Sequence, residues 1–158
     1  MKKLKLDKID LRILKCLQND GRITNVKLAK KAGISAPPCL RRVRALESSG
    51  HIKGYNAKLN HGALGYGVTV FAHVKLQSQA EVDLNLFVDV VQEWPCVREA
   101  HMVAGEVDFI LKVVAKDWDD YQEFLTHHLT SAANVTSVRS SLAVRVSKDE
   151  PGVPIDVD

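Results

Sequence analysis

The sequence predicts an α+β chain in two units, and three observations carry that expectation. The 158 residues are 46% apolar, enough to bury the core of one domain or of two small ones. Residues 1–60 hold 15 lysines and arginines against 4 acids, a net +11, whereas residues 61–158 hold 7 against 15, a net −8. Apolar residues recur at helical spacing up to about residue 48 and alternate with period two from residue 68 onward. The charge division points to an N-terminal unit that meets a polyanion, joined to a unit that does not.

In the first unit, a helix from Asp7 to about Asn19 carries Ile9, Ile13, Cys16 and Leu17 at helical spacing, with Gly21 after its end. A short helix starts near Thr24 or Asn25, carries Val26, Leu28, Ala29 and Ala32, and stops at Gly33, where glycine suits a left-handed backbone. The third helix begins at Ser35-Ala36-Pro37-Pro38. Prolines cost nothing in a first turn, whose N–H groups have no intrahelical acceptor. They also remove the donors that Ser35 would normally cap, which leaves its hydroxyl free. Cys39, Leu40, Val43 and Leu46 form the expected core stripe, with Arg41 and Ala45 opposite and Arg42 and Arg44 on the flanks. The spacing of the second and third helices is that of a helix-turn-helix. Gly50 closes the third helix, and residues 51–55 read as a short extended wing or hinge strand.

Glycines 62, 65 and 67 mark a linker over residues 61–67. Val68, Val70, Ala72, Val74 and Leu76 then alternate with Thr69, Phe71, His73 and Lys75, a strand with two different faces. A helix follows with Val82, Leu86, Phe87, Val90 and Val91, ended by Trp94-Pro95. Two strands over residues 97–103 and 107–115 flank Ala104-Gly105-Glu106, expected as a tight hairpin. A second helix from Asp117 places Trp118, Tyr121, Leu125 and His128 on one face, and a last strand shows Val138, Ser140, Leu142, Val144 and Val146 in alternation. The order βαββαβ predicts a ferredoxin-like unit over residues 68–148, two helices on one side of a four-stranded antiparallel sheet, with residues 149–158 as a tail. The other sheet face, with Phe71 and His73, is left for a partner and argues for a dimer.

Several function classes find little support. No run approaches the length of a membrane span, the opening residues lack the apolar stretch of a secretion signal, and a cytoplasmic location is expected. Cys16, Cys39 and Cys96 are far apart and match neither a disulfide framework nor a zinc finger. The six histidines show no spacing that assembles a reactive set, so an enzyme, a catalytic residue or a bound cofactor is not expected. His127 and His128 sit about 100° apart on a helix, poor geometry for one metal, and His128 is expected in the core. A metal-sensing regulator using scattered His and Cys is the alternative reading. An RNA-binding sheet would need aromatic and basic residues on its central strands, which the acidic second unit lacks.

Leu6-Asp7-x-x-Asp10-x-x-Ile13-Leu14, Asp20-Gly21-Arg22, Leu28-Ala29, Gly33-Ile34-Ser35 and Arg42-Val43-x-x-Leu46-Glu47-x-x-Gly50-x-Ile52-x-Gly54-Tyr55 together resemble the leucine-responsive regulatory protein/AsnC, or feast/famine, transcription regulators. Gly105-x-x-Asp108 extends the resemblance to nearly the whole chain, although Val107 departs from the aromatic often found there. The resemblance implies a winged helix-turn-helix over residues 1–60 that binds double-stranded DNA. It also implies dimerisation through the C-terminal sheet, further assembly often to an octamer, and a free amino acid bound between dimers.

On that reading the third helix enters the major groove, with Arg41 and Ala45 at base edges, Arg42 and Arg44 at phosphates, Pro37 in the leading turn and Ser35 a further phosphate contact. The effector side rests on the chemistry of an amino acid, whose carboxylate needs backbone N–H groups and whose ammonium needs an unpaired acid. Gly105 allows close backbone approach and Asp108 supplies the acid. The plainer reading makes Gly105-Glu106 a turn and Asp108 a solvated strand-end acid. The resemblance carries the effector site over to Met102, Gly105, Asp108, Thr136, Ser137, Val138 and Ser140, with Met102 and Val138 favouring leucine or methionine.

Overall fold

A computed structural model describes residues 5–157. The first helix, α1 (Lys8–Asn19), is set by a reciprocal cap: the Asp7 carboxylate accepts from the backbone N–H groups of Ile9 and Asp10, while the Asp10 carboxylate accepts from the Asp7 N–H. Helix α2 (Asn25–Ala32) starts at Thr24, whose hydroxyl accepts from the Lys27 N–H, and ends at Gly33 with φ 78°, the left-handed geometry that glycine adopts without strain. Helix α3 (Ala36–Ser48) begins at Ser35, whose side chain makes no cap bond. The Asn25 amide donates to the Ala36 carbonyl at 2.8 Å, which ties the starts of α2 and α3 together.

Ile13, Leu28, Ala29, Ala32, Cys39 and Leu46 form the core between the three helices, each large side chain adding about 1.5–3 kcal/mol by leaving water. Leu40, expected in that stripe, is 39% exposed instead. A stripe on a 13-residue helix facing two short helices is narrow, and Cys39, Val43 and Leu46 already fill it. Residues 52–60 run on without a strand, so the expected wing strand does not form. Residues 148–157 group with this unit. The Gln18 side-chain amide brackets Val153, donating to its carbonyl at 3.0 Å and accepting from its N–H at 3.3 Å, and Lys58 meets the Asp149 carboxylate at 2.6 Å.

The second unit spans Leu59–Ser147. Its elements are β1 (Val68–Leu76), α4 (Glu81–Gln92), β2 (Val97–Met102), β3 (Phe109–Ala115), α5 (Trp118–Phe124) and β4 (Val135–Leu142), with a short 3-10 turn at Gly62–Leu64. The sheet order is β2-β3-β1-β4 and every neighbouring pair is antiparallel. Val70, Ala72 and Val74 of β1 lie opposite Val113, Leu111 and Phe109 of β3, and this face packs on Phe87 and Val91 of α4 and Tyr121 and Phe124 of α5. The other face presents Phe71, His73 and Lys75, together with an ion pair between Lys112 and Glu99 at 2.7 Å.

Three expected details shift. After α5 the chain makes a π-turn at Leu125–Leu129, whose extra residue advances the helical phase: Leu129 is buried, while His128 is exposed and stacks over Phe124. On α4, Phe87 and Val91 pack inward but Val82, Leu86 and Val90 face solvent. Strand β4 ends at Leu142, and Val144 and Val146 lie exposed beyond it.

Candidate functional site

On α3 the solvent side carries Ser35, Pro37, Arg41, Arg44 and Ala45, all exposed. The two prolines remove two of the four backbone N–H groups at this helix start, and the Cys39 N–H bonds to the Ser35 carbonyl.

Arg42, expected at phosphates, makes two ion pairs within the unit. Its Nη1 donates to Asp10 Oδ1 at 2.7 Å and to Asp7 Oδ2 at 2.8 Å, so the guanidinium clamps α3 to the capped start of α1. Asp10 is 6% exposed and pairs with Arg42 from inside the unit. The Asp10 backbone N–H, and beyond it Arg42, hold the Asp7 carboxyl below its ordinary value of 3.8, and the bond to Asp10 raises Arg42 in turn. The spacing Asp7-x-x-Asp10 before an apolar run was the available signal for this cap. Glu47, the acid near Arg44, accepts from the Tyr55 hydroxyl at 3.0 Å, and burial followed by that bond pushes the phenol up to about 12.

The candidate effector residues divide between places. The β2–β3 connection is longer than the expected three residues: Met102 still pairs with Phe109, and the Val103 N–H bonds to the Asp108 carbonyl across it. Gly105 has φ 156° with open space where a Cβ would stand, so backbone is accessible there. Met102, Thr136 and Ser137 are exposed. Thr136 lies in the register shift opposite Lys75 and Leu76. Val138 packs partly against the core, and the Ser140 hydroxyl bonds to the buried Tyr121 hydroxyl on the helix-covered face.

Asp108 is neither the unpaired acid nor the solvated one that the sequence suggests. It is 7% exposed, and its two oxygens accept from the Leu76 N–H and the Gln79 side-chain amide, each at 2.7 Å. Its own N–H donates to the Val74 carbonyl. Asp108 thus fixes the end of β1 against the start of β3, and Gln79, which no sequence motif singled out, is its partner. Among the described residues no group of three or more His, Cys, Asp and Glu is placed to hold a metal, and no helix is long and apolar enough to cross a membrane.

Comparison with known proteins agrees with both units. Residues 6–53 match the family described as winged helix-turn-helix DNA-binding, and residues 69–153 match the Lrp/AsnC ligand binding domain. The chain is 50% identical over 153 residues to a leucine-responsive regulatory protein of Rhizobium meliloti (strain 1021), covering 97% of this chain and 98% of that one. A transcriptional regulator from Neisseria meningitidis, solved as a complex with L-Met, superposes with a TM-score of 0.91 at 32% identity, covering 96% and 98% of the two chains. An AsnC family transcriptional regulator from Agrobacterium tumefaciens gives 0.88 at 33%, covering 94% and 97%. With a three-helix DNA-binding unit built on residues 1–60, which carry a net +11, joined to a ligand-binding βαββαβ unit, the chain belongs to the Lrp/AsnC family of DNA-binding transcription regulators.

Proposed function

We propose that this regulator reads its operator through Arg41 and Ala45 of α3, holds the backbone through Arg44 and Ser35, and changes assembly and DNA affinity when a small apolar amino acid such as leucine or methionine binds. The observation that carries the reading is the exposed row Ser35, Pro37, Arg41, Arg44 and Ala45 on a helix that Arg42 anchors from its inner side. DNA-binding residues 1–60, a hinge at 61–67, effector-binding residues 68–148 and a tail at 149–158 are the functional divisions proposed. Two copies meet across the open sheet face of Phe71 and His73, and dimers assemble further, to an octamer by family resemblance. Paired recognition helices then call for half-sites about 10 base pairs apart or a multiple of that.

For the effector, the accessible backbone at Gly105 receives the carboxylate, and Met102, Thr136, Ser137 and Val138 border the side chain. Asp108 shapes this turn from behind, and Ser140 stands two residues beyond Val138 on the same strand. The L-Met complex of the Neisseria meningitidis regulator supports the ligand class. Binding and assembly share a coupling of roughly 1–3 kcal/mol. The test measures affinity for a duplex selected from a random pool, with and without L-leucine and L-methionine, beside thermal melting. A ligand at 100 times its dissociation constant stabilises the fold by about 2.7 kcal/mol. Unaltered DNA affinity and unaltered melting with both amino acids would remove them as effectors.

A further inference from the structure

The second unit also contains a cavity of about 640 Å³ that is separate from the β2–β3 turn. It opens at the other end of the sheet, where β1 begins and β3 ends, between the end of α4, helix α5 and the segment over residues 59–66. Val113 on its wall lies five residues from Asp108, about 17 Å along an extended strand. The volume falls within the range of small-molecule sites, roughly 300–1,000 Å³.

Its interior is aromatic. Trp94 and Phe124 meet edge to face with ring centroids 5.3 Å apart, and Tyr121, Val113 and Ala115 complete the floor. Leu59 and Leu64 line the mouth yet remain 61% and 58% exposed, so apolar surface at the entrance stays wet. The polar lining carries both signs. Glu93, Asp120 and Glu123 stand with Arg98 and Lys116, none of the five in an ion pair among the described residues, and Asp120 already accepts from the Lys116 backbone N–H at 2.9 Å. Arg98 gives one N–H to the Pro95 carbonyl at 3.2 Å and keeps the rest of its fork.

A hydrocarbon would fill the floor and ignore five charged groups, and an ion of one sign would meet at least two like charges. A zwitterion with a large apolar side chain meets the apolar floor and both signs of charge at once: the ring or branched chain on Trp94 and Phe124, the carboxylate at Arg98 or Lys116, the ammonium at Glu93 or Glu123. We propose that this cavity is a second amino-acid site, selective for aromatic or branched apolar side chains and contained within one protomer. It does not depend on the turn described above.

Trp94 and Cys96 make the test direct, because both line the cavity. In the full-length Trp118→Phe variant Trp94 is the sole tryptophan. L-phenylalanine, L-leucine and L-methionine are titrated against its emission. A saturable shift is expected, with the midpoint raised at least tenfold by Arg98→Ala and unchanged by Met102→Ala at the turn. Bound amino acid should slow alkylation of Cys96, read on its own peptide by mass spectrometry. Phenethylamine and 3-phenylpropionate, each lacking one charge, should bind at least tenfold more weakly than L-phenylalanine. Absence of a saturable shift overturns the proposal, as does a shift abolished by Met102→Ala and indifferent to Arg98→Ala. An emission change that follows protein dilution without any ligand would assign the cavity to an apolar segment of a second copy, and equal binding of either one-charge analogue would refute the zwitterion.

Discussion

Replacing Arg42 by methionine separates an anchoring role from a DNA-contacting one. The side chain keeps much of its length and loses the guanidinium that donates to Asp10 at 2.7 Å and Asp7 at 2.8 Å. Asp7 is half exposed, so its share of the loss is small and screened. Asp10 is 6% exposed and would keep only the Asp7 N–H at 3.1 Å. A charge-assisted hydrogen bond to a buried carboxylate contributes about 1.5–3 kcal/mol, and a partner one third exposed places the loss near 2 kcal/mol. For a unit of this size that lowers its melting temperature by about 8–16 °C. The assay is melting of the full chain followed by hydrogen exchange in α1 and α3, with Asp10→Asn and the double variant completing a cycle whose coupling energy should exceed about 1 kcal/mol. DNA affinity is measured alongside as a function of salt. Arg42→Met should leave the slope of log K against log salt near the native value, whereas loss of one phosphate contact lowers it by about 0.9. A variant of native stability whose slope falls by about 0.9 would refute the anchoring role and return Arg42 to the phosphates.

Arg41→Ala should cost about 1–3 kcal/mol on the selected site and relax one base position, while Arg44→Ala should weaken all duplexes alike and reduce the salt slope by about 0.9; equal losses on specific and random DNA for Arg41→Ala would contradict the division. Asp108→Ala leaves the Leu76 N–H without its acceptor and should destabilise the second unit by about 1–3 kcal/mol in denaturant titration, in contrast to Met102→Ala, which should change it by less than about 0.5. The Asp7 carboxyl is lowered in the folded chain, so its contribution is present above the ordinary value of 3.8 and disappears as pH falls through the lower folded one; acid unfolding of the first unit should accordingly begin below about pH 4 and flatten in Asp7→Asn. Tyr55, raised to about 12, stabilises below pH 10 and loses that contribution between pH 10 and 12, which phenolate absorbance in Glu47→Gln should shift to lower pH. Removal of residues 148–158 should lower protection in α1 around Gln18, since both bonds to Val153 are lost.

Periodicity was sufficient where an element has one neighbour and one wet side. The alternation of Val68 to Leu76 puts Val70, Ala72 and Val74 inside and Phe71 outside, and the Pro37-Pro38 start with Gly33 before it sets the helix-turn-helix to the residue. It failed where the answer depends on another part of the chain. Nothing local to Arg42 distinguishes a phosphate contact from a bond to carboxylates 32 and 35 residues earlier. Asp108 likewise finds Leu76 and Gln79 from 32 and 29 residues away, and an acid beside a glycine turn looks free until those partners arrive. The π-turn at Leu125–Leu129 has no signature in composition, yet one inserted residue moves Leu129 into the core and His128 out of it.

The apolar positions that the wheel assigns to the core and the fold leaves wet are informative for the same reason. Helix α4 has two apolar stripes, Phe87 and Val91 on one side and Val82, Leu86 and Val90 on another, and a single sheet can bury only one of them. The inner stripe wins because Phe87 reaches both Trp94 and Phe109, with centroids 6.2 and 4.9 Å away, which fixes its side on the sheet. The outer stripe is then exposed on one face of the unit and Phe71 on the other. A lone copy keeps the outer stripe and Phe71 in water at a cost of about 25 cal/mol per Å² of apolar surface. A dimer joined through the open sheet face covers only the second of them. On the assembly proposed above, the stripe of Val82, Leu86 and Val90 is a surface for contact beyond the dimer, and replacing Leu86 by lysine should reduce assembly above the dimer in light scattering while leaving the dimer intact.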